Sequence, residues 1–153
     1  MLPDPSAAMG TLVIGYGNEL RGDDAAGLRV AEAVEAWNRE DTRVLLARQL
    51  LPEMAEEVAG ARVVLFVDAS IKVQDVVLER IGPRGDHLML PHSGEPGAIL
   101  DLAHAVYGRV PSEAWLVHVP VEQFELAAPL SERTRLGVEK AVAAIRARLT
   151  QIG

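Results

Sequence analysis

The stretch TLVIGYGNELRGDDAAG, residues 11–27, decides the fold class, because a strand, a glycine-containing loop and the start of a helix follow one another in it. The apolar run at residues 12–14 is typical of a strand buried in a parallel sheet. Gly15 and Gly17 interrupt this run, and glycine allows the sharp turn or positive φ that the following loop needs. Polar and acidic side chains come next, at the carboxyl end of the strand, where open α/β sheets bind ligands. We therefore expect a functional site to begin in this loop.

Strand-like and helix-like stretches alternate along the rest of the chain. Residues 62–67 form an almost wholly apolar run that predicts the central strand, and residues 74–81 predict an edge strand. The remaining predicted strands cover residues 43–47 and 114–119, and the predicted helices cover residues 24–37, 52–58, 98–107 and 131–149. Such alternation produces a sheet covered by helices on both faces. We therefore predict an α/β fold, a single three-layer α/β/α sandwich with a mostly parallel, mixed and twisted sheet of about five strands.

Length and composition limit the class of protein. The 153 residues suffice for one domain with an ordinary core, predicted over residues 11–150 behind a flexible segment at residues 1–10. The absence of cysteine excludes disulfides, thiolate catalysis and cysteine-ligated metal sites. The formal net charge of −7 argues against binding to nucleic acid.

The amino-terminal residues and the hydropathy pattern predict the cellular location. Residues 1–8 lack the basic and apolar regions of a signal peptide. No apolar run approaches the ~18 residues that a membrane span requires. We therefore expect a cytoplasmic protein that does not bind membranes.

Three side chains are candidates for a metal site at the carboxyl edge of the sheet. Glu19 lies in the loop after the first strand, Asp68 at the end of the central strand, and His92 in a loop before a helix. Two carboxylates and an imidazole suit a borderline divalent ion such as nickel, zinc, cobalt or manganese, and three ligands leave positions open for a substrate. Purely structural roles, a capping aspartate and an exposed loop histidine, stay open at this point.

The other acidic residues and histidines have simpler expected roles. Asp23 or Asp24 is expected to cap the helix that follows, since a carboxylate accepts the unpaired N–H groups of a first turn. His104 falls in a predicted helix and His118 in a predicted strand, so packing or surface roles are expected for both. His87, in the glycine- and proline-rich loop before the third helix, is the reserve ligand.

A nucleotide- or cofactor-binding domain is an alternative that uses the loop at residues 15–18 as a phosphate cradle. The dinucleotide fingerprint G-x-G-x-x-G fails here, because Leu20 stands in place of the third glycine. Glu19 and the acidic pair Asp23 and Asp24 would repel a phosphate. The sequence therefore disfavours this alternative.

The motif G-x-G-N-x-L-x-x-D-D at residues 15–24 resembles the amino-terminal signature of the nickel–iron hydrogenase maturation endopeptidases. The sequence Val-Asp-Ala at residues 67–69 is similar to the end of the third strand in that family. His92 followed by the helix AILDLAHAVYG, and Leu-Ser-Glu at residues 130–132, also resemble family features. The resemblance covers about residues 10–149, and the order and spacing of the motifs make it fairly specific.

The resemblance implies a three-layer α/β/α fold and a particular activity. Enzymes of this family are peptide hydrolases that remove a C-terminal extension from the hydrogenase large-subunit precursor after nickel insertion. Their metal-contacting positions correspond here to Glu19, Asp68 and His92, which makes these three residues the expected catalytic and metal-binding set. The nickel would be carried by the substrate, with substitution by another divalent ion left open. The implied partner is a nickel–iron hydrogenase large-subunit precursor.

Two stretches depart from the family pattern. Ala25 follows the acidic pair where the family commonly has glycine, so strain is expected at this position if a positive φ is needed. Residues 118–125, HVPVEQFE, match the corresponding family segment only loosely, and this segment is a candidate for substrate recognition. A third hypothesis follows from the altered loop: a non-catalytic, metal-binding maturation scaffold that binds precursor without cutting it.

Overall fold

The computed structural model describes residues 10–82 and 94–152. The expected flexible segment at residues 1–10 falls almost wholly outside these ranges, as do His87 and His92. Within them, the sheet contains strands β1 (Thr11–Tyr16), β2 (Thr42–Ala47), β3 (Val63–Ser70), β4 (Val77–Arg80) and β5 (Glu113–Pro120). The helices are α1 (Ala26–Glu35), α2 (Met54–Ala59), α3 (Gly94–Tyr107) and α4 (Glu132–Ile152).

The strands form a mixed, mostly parallel sheet in the order β2-β1-β3-β5-β4. Strand β1 pairs in parallel with β2 and β3, and β5 pairs in parallel with β3 and antiparallel with the edge strand β4. The predicted central position of β3 and edge position of β4 are confirmed. The chain runs from β1 to β2 on one side and then crosses to β3 on the other side of β1, so the strand order reverses between β1 and β3. Open α/β sheets bind ligands at such a reversal.

Helices cover both faces of the sheet, which confirms the predicted three-layer sandwich. Alternate residues of each strand point to opposite faces and form two separate cores. One core packs under α1 and α4 and includes Val13, Val30, Leu65, Val117 and Ile145. The other packs under α2 and α3 and includes Ile14, Val58, Phe66, Leu100 and Leu116. No helix within the described ranges has the length and apolarity needed to cross a lipid bilayer.

Several predicted boundaries were wrong by a few residues. Helix α3 begins at Gly94 rather than at residue 98, because Pro96 sits in its first turn, where a missing N–H costs nothing. A 3-10 turn at Gly22–Ala25 precedes α1, which ends at Glu35 rather than at residue 37. Strand β3 continues to Ser70, three residues beyond the predicted end.

Two glycines allow α1 to cross the sheet at close range. A Cβ atom on Gly15 would lie 2.3 Å from the Gly27 carbonyl oxygen, and one on Gly27 would lie 2.5 Å from the Val67 carbonyl oxygen. Gly15 was predicted to be part of a turn, and this interpretation was wrong: it lies inside β1 and pairs with Val67 of β3. Its missing side chain is needed for helix–sheet packing rather than for a turn.

Candidate active site

The two candidate carboxylates lie at the carboxyl ends of neighbouring parallel strands. Gly15 of β1 pairs with Val67 of β3, which places Tyr16 beside Asp68, and Glu19 follows in the loop after β1. Asp68 is half-buried and shares the sheet face of Val64 and Phe66, the face covered by α2 and α3. The strand reversal thus brings Glu19 and Asp68 to the same edge of the sheet, as the sequence predicted.

Side-chain hydrogen bonds shape the loop that carries Glu19. The Asn18 N–H donates to Asp24 Oδ2 at 2.8 Å, and the Leu20 N–H donates to Asn18 Oδ1 at 2.9 Å. Gly17 has φ 150°, and a Cβ atom there would lie 2.0 Å from the Asp24 carbonyl oxygen, so only glycine fits. These contacts fix the backbone on both sides of Glu19, whose side chain is exposed. A fixed backbone with an exposed carboxylate suits contact with a partner.

Asp23 is fully buried and joins three parts of the chain. Its carboxylate accepts hydrogen bonds from the N–H groups of Glu122 and Gln123, at 2.9 and 2.8 Å. It also accepts from Ser131, through the N–H at 2.6 Å and the Oγ hydroxyl at 2.7 Å. Ser131 in turn caps α4, since its Oγ accepts the Thr134 N–H. Asp23 therefore ties the candidate site loop to the segment after β5 and to the start of α4.

These hydrogen bonds outweigh the cost of burying the Asp23 carboxylate. Burial raises the pKa of this group, but donation from Ser131 and from the Glu122 N–H lowers it more, so the pKa of Asp23 lies below its ordinary value of 3.8. Among residues 10–82 and 94–152, hydrogen-bond donors rather than a cation stabilise the negative charge. Asp23 is therefore a structural carboxylate.

The prediction that Asp23 or Asp24 caps the following helix was wrong. Within the described residues no side chain caps the 3-10 turn or α1: Asp23 accepts hydrogen bonds from residues 122–131, and Asp24 accepts one from the Asn18 N–H of its own loop. The expected strain at Ala25 is also absent, because its φ of −78° is ordinary helical geometry. The alanine that departs from the family pattern therefore fits this loop without distortion.

His118 lies closer to the candidate site than the sequence indicated. It pairs with Asp68 in the β3–β5 register, and its Nε2 lies 2.8 Å from Glu79 Oε1 on β4. Both side chains are partly buried. Asp68, His118 and Glu79 thus form a polar row across three strands near the carboxyl edge. Glu79 reaches His118 because β4 pairs in the antiparallel direction with β5. No local sequence pattern predicts this contact.

His92 lies outside the described residues, so its membership of the site remains a prediction. Helix α3 begins two residues later, and only residues 108–112 separate its end from the amino end of β5. The helix therefore runs back against the strands and begins toward the carboxyl edge of the sheet. Within residues 10–82 and 94–152, no three histidine, aspartate or glutamate side chains are close enough to hold a metal ion.

Solved structures with this fold are known. The chain is similar to the hydrogenase maturating endopeptidase HybD from E. coli, with 23% identity over 95% of this chain and 94% of that chain and a TM-score of 0.75. It is similar to the NiFe hydrogenase maturation protease HybD from Thermococcus kodakarensis, with 24% identity, coverage of 92% and 99%, and a TM-score of 0.69. It is also similar to the protease HycI from Thermococcus kodakarensis KOD1, with 20% identity, coverage of 93% of each chain, and a TM-score of 0.70.

The fold is therefore that of the NiFe hydrogenase maturation proteases over almost the full length of both chains. No protein-family model and no curated protein sequence matches the chain.

Proposed function

We propose that this chain is an endopeptidase that removes the C-terminal extension of a nickel–iron hydrogenase large-subunit precursor after nickel insertion, in the cytoplasm. The observation that carries the proposal is the placement of Glu19 and Asp68 at the carboxyl ends of adjacent parallel strands, within the fold of the maturation proteases. The sequence motif around Glu19 and the strand-end aspartate support the same activity.

The nickel ion belongs to the substrate in this proposal. Glu19, Asp68 and His92 would contact it at positions that the precursor leaves vacant, since carboxylate and imidazole groups suit a borderline divalent ion. Exposure of Glu19 on a fixed loop supports contact with a metal that arrives on another protein.

Hydrolysis then requires attack of water on the scissile carbonyl carbon, cleavage of the C–N bond and transfer of a proton to the leaving amine. A metal ion assists such a reaction either by polarising the carbonyl or by lowering the pKa of a bound water. A carboxylate next to the metal can orient the water by accepting a hydrogen bond from it. The residues named here fit both routes.

The loop after β1 does not favour the alternative of a nucleotide site. A phosphate cradle needs backbone N–H groups that point at the ligand. The N–H groups of Asn18, Leu20 and Arg21 instead donate to Asp24 Oδ2, Asn18 Oδ1 and the Asn18 carbonyl. We therefore retain the peptidase as the proposed function.

A cleavage assay with the matching precursor tests the proposal. The protein is mixed with nickel-loaded and nickel-free precursor, and product masses are recorded. We expect loss of a C-terminal peptide from the nickel-loaded form alone. Binding of the loaded precursor without cleavage would instead support the non-catalytic scaffold.

Variants of the three proposed contacts sharpen the assay. Glu19→Gln, Asp68→Asn and His92→Ala should each lower the cleavage rate by about 100-fold or more, because a metal contact stabilises the transition state by several kcal/mol. Glu40→Gln is the matched control, since this exposed carboxylate lies at the opposite, amino edge of the sheet. Wild-type rates in all three site variants would contradict the assignment.

A further inference from the structure

A cavity of about 240 Å³ opens beside Glu19, between the loop after β1 and the carboxyl end of β2. Its lining includes Leu20, Leu28, Leu46 and Arg48 as well as Glu19. The cavity lies on the β2 side of β1, whereas Asp68 lies on the β3 side. It is therefore a neighbour of the proposed metal-contacting residues rather than part of that set.

The cavity has an apolar part. Leu28 of α1 is 9% exposed, whereas Leu46 and Leu20 are 43% and 55% exposed. Apolar side chains that are exposed next to one another are typical of ligand-binding grooves and interaction surfaces. The lining is thus suited to a large aliphatic side chain.

The cavity also has a cationic wall. Arg48 is exposed and forms no hydrogen bond or ion pair with any other residue in the described part of the chain. A guanidinium has five N–H donors and accepts no hydrogen bond, so its natural partner is a carbonyl or carboxylate oxygen. Peptide backbone supplies such an oxygen next to every side chain.

The position of β2 favours an extended chain as the ligand. Strand β2 ends the sheet order, and no described strand pairs with its outer edge. Extended peptides bind at such edges, where main-chain groups give affinity and pockets for alternate side chains give specificity. Leu46 lies in the last two residues of this strand, and Arg48 follows its last residue, Ala47.

We infer that this cavity is a substrate subsite, which binds a large aliphatic side chain near the scissile bond while Arg48 donates to a nearby oxygen of the same peptide. The inference rests on the proposed function, because it takes the precursor as the ligand. Glu19 connects the two sites, since it lines the cavity and belongs to the proposed metal-contacting set.

The test compares Leu46→Asp with Leu46→Met and Leu46→Thr, and uses Val106→Asp as control. Val106 is 60% exposed near the end of α3, away from the cavity. With nickel-loaded precursor, Leu46→Asp should raise KM and the dissociation constant by about tenfold or more and leave kcat within about twofold. Val106→Asp should match wild type, and Leu46→Met, which keeps a large apolar side chain, should show the smallest rise of the three Leu46 variants. Leu46→Thr keeps a β-branched side chain that strands accept, and it should raise KM by less than Leu46→Asp does. If Leu46→Asp fails to fold, the KM of Leu46→Thr still tests the subsite.

Substitutions in the precursor identify the side chain that enters the cavity. Each large aliphatic residue near the cut is replaced by serine. One such replacement should weaken the binding of the precursor to wild-type protein. The same replacement should weaken binding to Leu46→Asp much less, because the effects of two substitutions in contacting residues do not add. Arg48→Glu should also raise KM, and Arg48→Lys should retain part of the affinity.

The possible outcomes separate this inference from the proposed function. Equal KM values for Leu46→Asp, Val106→Asp and wild type would overturn the subsite. If wild-type protein binds the loaded precursor without cutting it, the proposed function fails, and the dissociation constants alone decide the subsite. If it neither binds nor cuts, both are wrong.

Discussion

Asp23 shows how much a single buried carboxylate organises in this chain. It accepts four hydrogen bonds, and no basic side chain is among the donors to it in the described residues. An amide in its place would present N–H donors to groups that are themselves donors. Asp23→Asn should therefore lower the free energy of unfolding by about 3 kcal/mol, since buried polar groups left unsatisfied cost ~1–3 kcal/mol each. Urea denaturation measures this, with the exposed Asp75→Asn as control.

The same carboxylate predicts a pH dependence. The pKa of Asp23 is lower in the folded protein than its ordinary value of 3.8, so the folded state favours the ionised form. Its contribution is complete above the unfolded pKa and is lost as the pH falls through the folded pKa. The stability difference between wild type and Asp23→Asn should therefore be constant near pH 7 and shrink below about pH 4. A difference that grows on acidification would contradict this account.

The sequence correctly predicted the placement of residues that depends on their position next to a strand. It did not predict hydrogen bonds between residues that are far apart along the chain. Glu19 follows one recognisable apolar run and Asp68 directly follows another, so their placement at one edge follows from parallel topology. The partners of Asp23 lie 99 to 108 residues further along the chain, and a local pattern carries no information about them. A helix cap was the nearest local explanation, and it was wrong for this reason. Pairing of His118 with Glu79 is equally non-local.

At the scale of elements, α1 crosses β1 and β3 at close range near the site. Gly27→Ala would place a methyl group 2.5 Å from the Val67 carbonyl oxygen and 2.7 Å from that of Tyr16. Backbone on both sides cannot move without displacing a strand, so we expect a loss of stability of ~3 kcal/mol or more. Thermal unfolding followed by circular dichroism measures it.

Gly60→Ala is the matched control for this substitution. Gly60 ends α2 with a φ of −83°, and the nearest atoms to its added Cβ lie 3.7 Å away. The alanine there should leave stability unchanged or raise it slightly, because it restricts the unfolded chain. Equal losses for the two variants would show that the crossing is looser than described.

Element types were easier to predict than their ends. Apolar runs identified each strand, and the central and edge positions of β3 and β4 followed from how apolar those runs are. The ends of the elements cannot be read from composition. Helix α3 accommodates a proline in its first turn, and β3 continues through the polar residue Asp68. Helix and strand limits are therefore set by tertiary contacts as much as by local preference.

At the scale of the whole molecule, charge should affect how fast a partner arrives. The net charge is −7, and Glu19, Glu122 and Glu125 are in loops at the carboxyl edge of the sheet. Long-range attraction between this acidic protein and a basic surface on its partner would accelerate association and would be screened by salt. The association rate with the loaded precursor should fall by about tenfold between 0.05 and 0.5 M salt, while the dissociation rate changes little. An association rate that does not change with salt would show that long-range charge attraction does not accelerate binding.

The link from Asp23 to residues 122–131 has a consequence for the protein during its synthesis. The loop that carries Glu19 is made early, but the donors to the buried carboxylate of Asp23 are made about 100 residues later. In a nascent chain that has not yet released residue 131 from the ribosome, Asp23 lacks its hydrogen bonds from Ser131, while the local bonds to Asp24 and Asn18 remain available to order this loop. Incomplete translation products that end before residue 122 would therefore lack all four hydrogen bonds to Asp23, and we expect them to hold the acidic loop less firmly than the complete chain does.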